Sequence, residues 1–354
     1  MKQKLFPFLL LSVIAGIGCR RNNPIGEPPT AAAEKKWVVT TIAGEGSPFF
    51  ADGPSLMAKF RAPQDVAVTE GGIIYVADAL NHRIRKIVEG QVTTFAGLGV
   101  EDTTSGIGIA AGFALPFQLA TDIAGNLYTL DVHDFRVRKI NPYALVTVVA
   151  GNGIRGFAEG NAFSAEFGET LGIVTDEQGN IYVTDWENRR VRKISVTGQV
   201  TTVAGNGKSG FVNGNGDTAQ FISLGGIVID KQGNLFVADL NRIRKITPTG
   251  VVSTFAGSDL AGYKDGQVDV AQFKFIEDMV IDGQGSIYVS DDNRIRKISI
   301  QGEVSTIAGS TAGYLDGDGT SAKFNGAFGL GIDKQGNIYV ADVNNSRIRK
   351  ISFQ

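Results

Sequence analysis

The stretch Gly172 to Gly205, GIVTDEQGNIYVTDWENRRVRKISVTGQVTTVAG, reads as four short strands joined by tight turns. Gly172 to Thr175 is a short apolar strand. Asp176-Glu177-Gln178-Gly179-Asn180 is a hairpin turn, in which Gly179 can take a positive φ and Asp176 can bond the turn backbone through its own side chain. Ile181 to Thr184 is a second strand, with the aromatic Tyr182 in it. Val191 to Val196 is a third, and Gln199 to Val203 a fourth that ends at Ala204-Gly205.

The same unit recurs along the chain. The tetrapeptide Ile/Val-Arg-Lys-Ile starts at Ile84, Val137, Val191, Ile243, Ile295 and Ile348, in steps of 53, 54, 52, 52 and 53 residues. A period near 50 built from short, glycine-punctuated strands is the signature of a propeller. Six units of four antiparallel strands predict an all-β, six-bladed β-propeller. A single core stops growing near roughly 250–300 residues, and a ring of small sheets escapes that limit. The chain ends are offset against each other. Trp37 to Ile42 is a fourth-strand sequence and Arg347 to Phe353 a third-strand sequence. The N-terminal strand is therefore expected to complete the last blade and close the ring, which removes free sheet edges.

Formal net charge is −2, so no basic field draws the protein to nucleic acid. The basic pair in each third strand, such as Arg85-Lys86, is expected to lie along apolar surface with its charged heads in water. Cys19 is the one cysteine, which excludes an intramolecular disulfide. It follows two N-terminal lysines, Lys2 and Lys4, and the apolar run Leu5 to Ile17, which is too short to span a membrane. This segment resembles a bacterial lipoprotein signal, although Gly16 stands where that motif usually has Leu. The resemblance implies a signal peptide over 1–18 and lipidation of Cys19; the polar, Pro-containing and Ala-rich stretch that follows reads as a flexible tether, giving a lipidated tether over 19–36 and the propeller over 37–354. It also implies export and attachment to a bacterial membrane, the outer one, facing the periplasm or the outside. A monomer that meets the membrane through its anchor only is expected.

After each aromatic second strand stands Asp-x-x-Asn-x-Arg-Ile/Val-Arg, as at Asp78, Asn81, Arg83 and again at Asp342, Asn345, Arg347. The fourth and fifth units are two residues shorter, at Asp239, Asn241, Arg242 and Asp291, Asn293, Arg294. This pattern resembles the NHL repeat over essentially all of residues 37–354. The resemblance implies the six-bladed fold and leaves activity open, because propellers of this type serve as RNA binders, interaction platforms and lyases. The repeated Asp and the Arg five or three residues after it, which can pair with that Asp or with a neighbouring blade, read as a structural staple, since catalysis needs one asymmetric site. The aromatics before the interblade turn, Phe50, Phe157, Phe211, Tyr263 and Tyr314, are expected to pack across the loop base.

The chain has two histidines, His82 and His133, too few for the histidine-rich zinc site of the propeller lyases. Asymmetry between units is the better pointer. At the start of the innermost strand stand Asp65, Gln118, Gly172, Gly226, Asp278 and Gly329, preceded by Gln64, Phe117, Leu171, Gly225, Glu277 and Phe328. Asp65, Gln118, Glu277 and Asp278, with Glu169 near by, are the candidate ligand or metal site, at the mouth of the central channel. A calcium or zinc ion is the cofactor such carboxylates could hold, as in gluconolactonase-like propellers, and otherwise no cofactor is expected. The function expected is binding or scaffolding of a protein or glycan at the cell envelope. The alternative is a metal-dependent lactonase or lyase.

Overall fold

The computed structural model describes residues 34–354. Cys19, the segment 1–18 and most of the segment 19–36 lie outside the described residues. Six antiparallel sheets form the six blades of a propeller. In blade one the strands run Pro63–Val68, Ile74–Asp78, Arg83–Val88 and Gln91–Ala96 from the axis outward. The innermost strands of blades two to six are Pro116–Thr121, Thr170–Thr175, Leu224–Ile229, Ile276–Ile281 and Ala327–Ile332. Trp37–Ala43 pairs antiparallel with Arg347–Phe353, from Trp37 opposite Phe353 to Ala43 opposite Ile348. The ring closes as the chain ends predict.

The expectation of four strands per blade needs a correction. Five of the six sheets carry a fifth, two-residue strand outside the fourth: Gly53–Pro54, Gly106–Ile107, Gly160–Asn161, Gly266–Gln267 and Gly317–Asp318. The interblade loop passes along the outer edge and its glycine, at φ 131° for Gly53 and 137° for Gly266, lets the backbone come close enough to pair. The edge that would otherwise face water is thereby partly covered. In blade four the contact is a single bridge between Gly214 and Val252.

The hydrophobic core is a ring of clusters, each shared by two neighbouring blades. Tyr75, Ala77 and Ile84 of blade one, for example, pack on Phe113, Leu119 and Ile140 of blade two. Phe60, Phe113, Phe167, Phe221, Phe273 and Phe324 plug the junctions and are fully buried. Burying one such ring stabilises by about 1.5–3 kcal/mol.

Each blade is also knitted by a fully buried arginine: Arg85, Arg138, Arg192, Arg244, Arg296 and Arg349. This corrects two expectations. The arginine of the basic pair does not reach water, and it, rather than the first arginine of the motif, pairs with the strand-end Asp. Arg85 donates to Asp78 at 2.6 Å, to Asp52 at 2.6 Å and to the carbonyls of Ala51 and Lys59. Its five donors match four acceptors on strand and loop, the fork geometry that makes arginine suited to such a node. The first arginine lies over the loop aromatic instead: Arg83 on Phe50 at 3.9 Å, Arg294 on Tyr263 at 3.6 Å and Arg347 on Tyr314 at 3.9 Å. Those aromatics do pack across the loop base, as expected. Blade two is the loosest copy. Ser105 replaces the outer Asp, and Arg138 sits 3.5 Å from Asp131.

Candidate functional site: a carboxylate shelf in the axial channel

The six inner strands surround a cavity of about 330 Å³ on the propeller axis. Most of the side chains along it are aliphatic, among them Val66, Leu119, Ile173, Ile227, Met279 and Leu330, and the strand backbones and the polar shelf supply the rest of its surface. Val68, Thr121, Thr175, Ile229, Ile281 and Ile332, each the last residue of its inner strand, line the end at the first hairpin turns and are partly exposed. At the other end the polar residues Asp65, Gln118 and Asp278 form a shelf, 1%, 3% and 4% exposed.

The shelf is built by size complementarity between blades. A Cβ on Gly329 would stand 2.2 Å from Asp65 Oδ1, and one on Gly226 would stand 2.3 Å from Asp278 Oδ1. Each aspartate fills the space its preceding neighbour leaves. It then reaches forward to the next blade: Leu119 N–H donates to Asp65 Oδ2 at 2.7 Å, and Leu330 N–H to Asp278 Oδ2 at 2.9 Å. Val66 N–H donates to Asp65 Oδ1 at 2.7 Å. Ser290 Oγ accepts from Asp278 N–H and donates to its carbonyl, holding the backbone in place.

Electrostatics set these two groups apart. Every other buried aspartate among the described residues has an arginine within salt-bridge distance. Asp65 and Asp278 have none, and no Lys, Arg or His lines the cavity. Burial, then the charge of Asp278, raises the Asp65 pKa well above the ordinary carboxylate range, against the pull of the Leu119 and Val66 N–H groups. Burial likewise raises Asp278, opposed by the N–H groups of Leu330 and Met279 and by the Gln118 amide. That amide is near enough to Asp278 to favour its ionised form, yet its Nε2 makes no hydrogen bond of good geometry with any group. A buried N–H donor left unmade costs about 1–3 kcal/mol.

Of the residues expected at the mouth, the structure brings Asp65, Gln118 and Asp278 together and places Glu277 beside them at the rim. Burial first, then the charges of Asp278 and Asp292, pushes the Glu277 pKa up to about 7. Glu169 does not join the shelf. It stands three residues before Gly172, on the loop, where its carbonyl accepts from Trp186 N–H at 2.9 Å and its charge acts on Arg155. Among the described residues no group of three or more His, Cys, Asp or Glu is arranged to hold a metal ion. Both shelf carboxylates already accept backbone N–H bonds, and a metal would have to share those oxygens. His82 hydrogen bonds the Ala114 carbonyl at 2.7 Å through Nδ1, and His133 is exposed, so the histidines belong to loops.

Sequence reasoning passed over one feature. Phe117 and Phe328, from the column just before the shelf, meet edge to face with centroids 5.5 Å apart. Blades two and six are not adjacent, so this contact bridges the mouth above blade one. The signal was two phenylalanines in a column of otherwise mixed residues.

The fold and its one asymmetric site define a repeat propeller with an axial polar shelf. The Teneurin NHL domain family matches residues 102–274, and the NHL repeat family matches residues 60–87 and 324–351. NHL-repeat matches thus fall in the first and last blades and through the middle of the six-bladed propeller. Mouse teneurin-3 is 27% identical over 89% of this chain and 13% of its own length. The chain spans about a fifth or less of the curated relatives first matched. A Bacteroides thetaiotaomicron protein of unknown function superposes with a TM-score of 0.72 at 22% identity, covering 91% of this chain and 77% of its own. An auxiliary nutrient binding protein from the same organism does so at 0.68 and 17% identity, over 90% and 77%. At these identities the two structures share the fold.

Proposed function

We propose that this protein is an exported, lipid-anchored binding module of the cell envelope, which holds a glycan end or similarly small ligand in its axial channel. One observation carries the reading. Among the described residues, the buried aspartates without an arginine partner gather at one place in a ring of near-copies, the shelf of Asp65 and Asp278 in the axial channel. A structural role alone would be met by the arginine that serves each of the other buried strand-end aspartates. Concave, apolar cavities with a few converging polar groups are the usual form of small-ligand sites. The auxiliary nutrient binding protein of like fold supports binding as a role for this architecture. Lipid attachment at Cys19 rests on the signal-like N-terminus. Two measurements test the proposal. Cys19→Ala should shift the protein from the membrane fraction to soluble or unprocessed pools, and an unchanged distribution refutes the anchor. A thermal-shift screen against saccharides and small metabolites should find a ligand whose effect is lost in Asp65→Asn. A hit insensitive to that change moves the site elsewhere.

A further inference from the structure

We propose that the shelf takes the ammonium group of a primary amine that carries a hydroxyl beside it, the chemistry of an amino sugar or amino alcohol. The inference deepens the binding reading above and rests on it. The chain itself supplies the comparison. Six strand-end aspartates, from Asp78 to Asp342, are as buried as the shelf pair, and each has its guanidinium. Two carboxylates facing one cavity have no cation from this chain, so a ligand that brings one completes the same pairing. A neutral ligand would bring no counter-charge, and the pair would still favour holding a proton over ionising.

The second observation is a neutral donor beside the acids. Gln118 Nε2 is buried, lines the same cavity and lacks a partner. An ammonium has only donors and cannot satisfy it. A hydroxyl can accept from Nε2 while donating to a carboxylate. A head group with ammonium and hydroxyl on neighbouring carbons therefore answers every open bond of the shelf. Each shelf oxygen bonded to a backbone N–H keeps a further lone pair for it. The side chains below the shelf are aliphatic until Thr121 and Thr175 at the opening, and they suit the carbon frame of such a molecule.

The test uses the purified full-length protein and calorimetric titration. Glucosamine is compared with glucose, and ethanolamine with ethylene glycol and ethylamine. Each amine should bind at least tenfold more tightly than its neutral counterpart, since a desolvated charge pair distinguishes them. Ethanolamine should also exceed ethylamine. Asp65→Asn and Asp278→Asn should bring amine and neutral ligand to within about twofold. Gln118→Met, which leaves the Asp cradles intact, should erase only the preference for ethanolamine over ethylamine. Equal binding of glucosamine and glucose overturns the ammonium and leaves a binding module for neutral saccharides. Stabilisation by calcium or zinc without any response to amines overturns it in favour of a metal. Failure of every amine and its counterpart to bind overturns the inference, and the ligand screen above then decides the broader reading alone.

Discussion

Replacing Glu277 with Gln should stabilise the protein at alkaline pH and do little at acid pH. The carboxyl pKa rises from an ordinary 4.5 to about 7, chiefly through burial and then through Asp278 and Asp292. No hydrogen bond to this side chain is lost in the exchange. A folded-state value above the unfolded one means that the folded protein binds the proton more tightly. The stability this gives is complete below pH 4.5 and disappears as pH rises through 7. At about 1.4 kcal/mol per pH unit the full span is about 3 kcal/mol, and partial solvent access at the rim reduces it to about 2 kcal/mol. For a domain of this size that is about 3 °C in Tm. Melting wild type and Glu277→Gln side by side at pH 5 and pH 8.5 reads Glu277 together with its coupling to Asp278 and Asp292, because titrations elsewhere cancel in the difference. The gain of the variant should grow by about 3 °C between the two pH values. A difference that stays constant, or that falls at pH 8.5, refutes burial of a strained carboxylate at the mouth.

Two further outcomes follow from the scaffold. Deleting residues 37–43 should cost several kcal/mol and promote aggregation, because the last blade loses its Trp37–Ala43 strand and exposes Arg347–Phe353 as an edge; an unchanged melting temperature refutes closure by this strand. Arg296→Met should destabilise by about 3–5 kcal/mol in denaturant titrations, since it strands Asp291 in the interior. Arg138→Met should cost less, its Asp131 partner being 3.5 Å away and already raised to about pKa 6 by burial; equal costs would show that the close pairs contribute no more than the loose one.

The number of blades, their four main strands, the turn glycines and the closing strand were legible in the residues, and the short fifth strand at the outer edge was not. Each depends on local periodicity repeated six times, and the repeat amplifies a weak signal. The shelf column was legible too, because Asp65, Gln118 and Asp278 interrupt a register that otherwise holds Gly. What the linear order did not carry was partnership across the ring. Which arginine meets Asp78 depends on side-chain direction within a sheet. In the observed register Arg83 lies opposite Asp78, yet its side chain stacks on Phe50, and it is Arg85 that turns inward to the carboxylate. Glu169 is near Gly172 in sequence but leaves the axis within three residues. Phe117 and Phe328, separated by about three-fifths of the chain, touch because a closed ring of six brings second and sixth blades to one rim. The strands follow from alternation and turn chemistry, which are properties of neighbours in sequence. The buried acids without a cation follow from closure, which only the folded ring supplies.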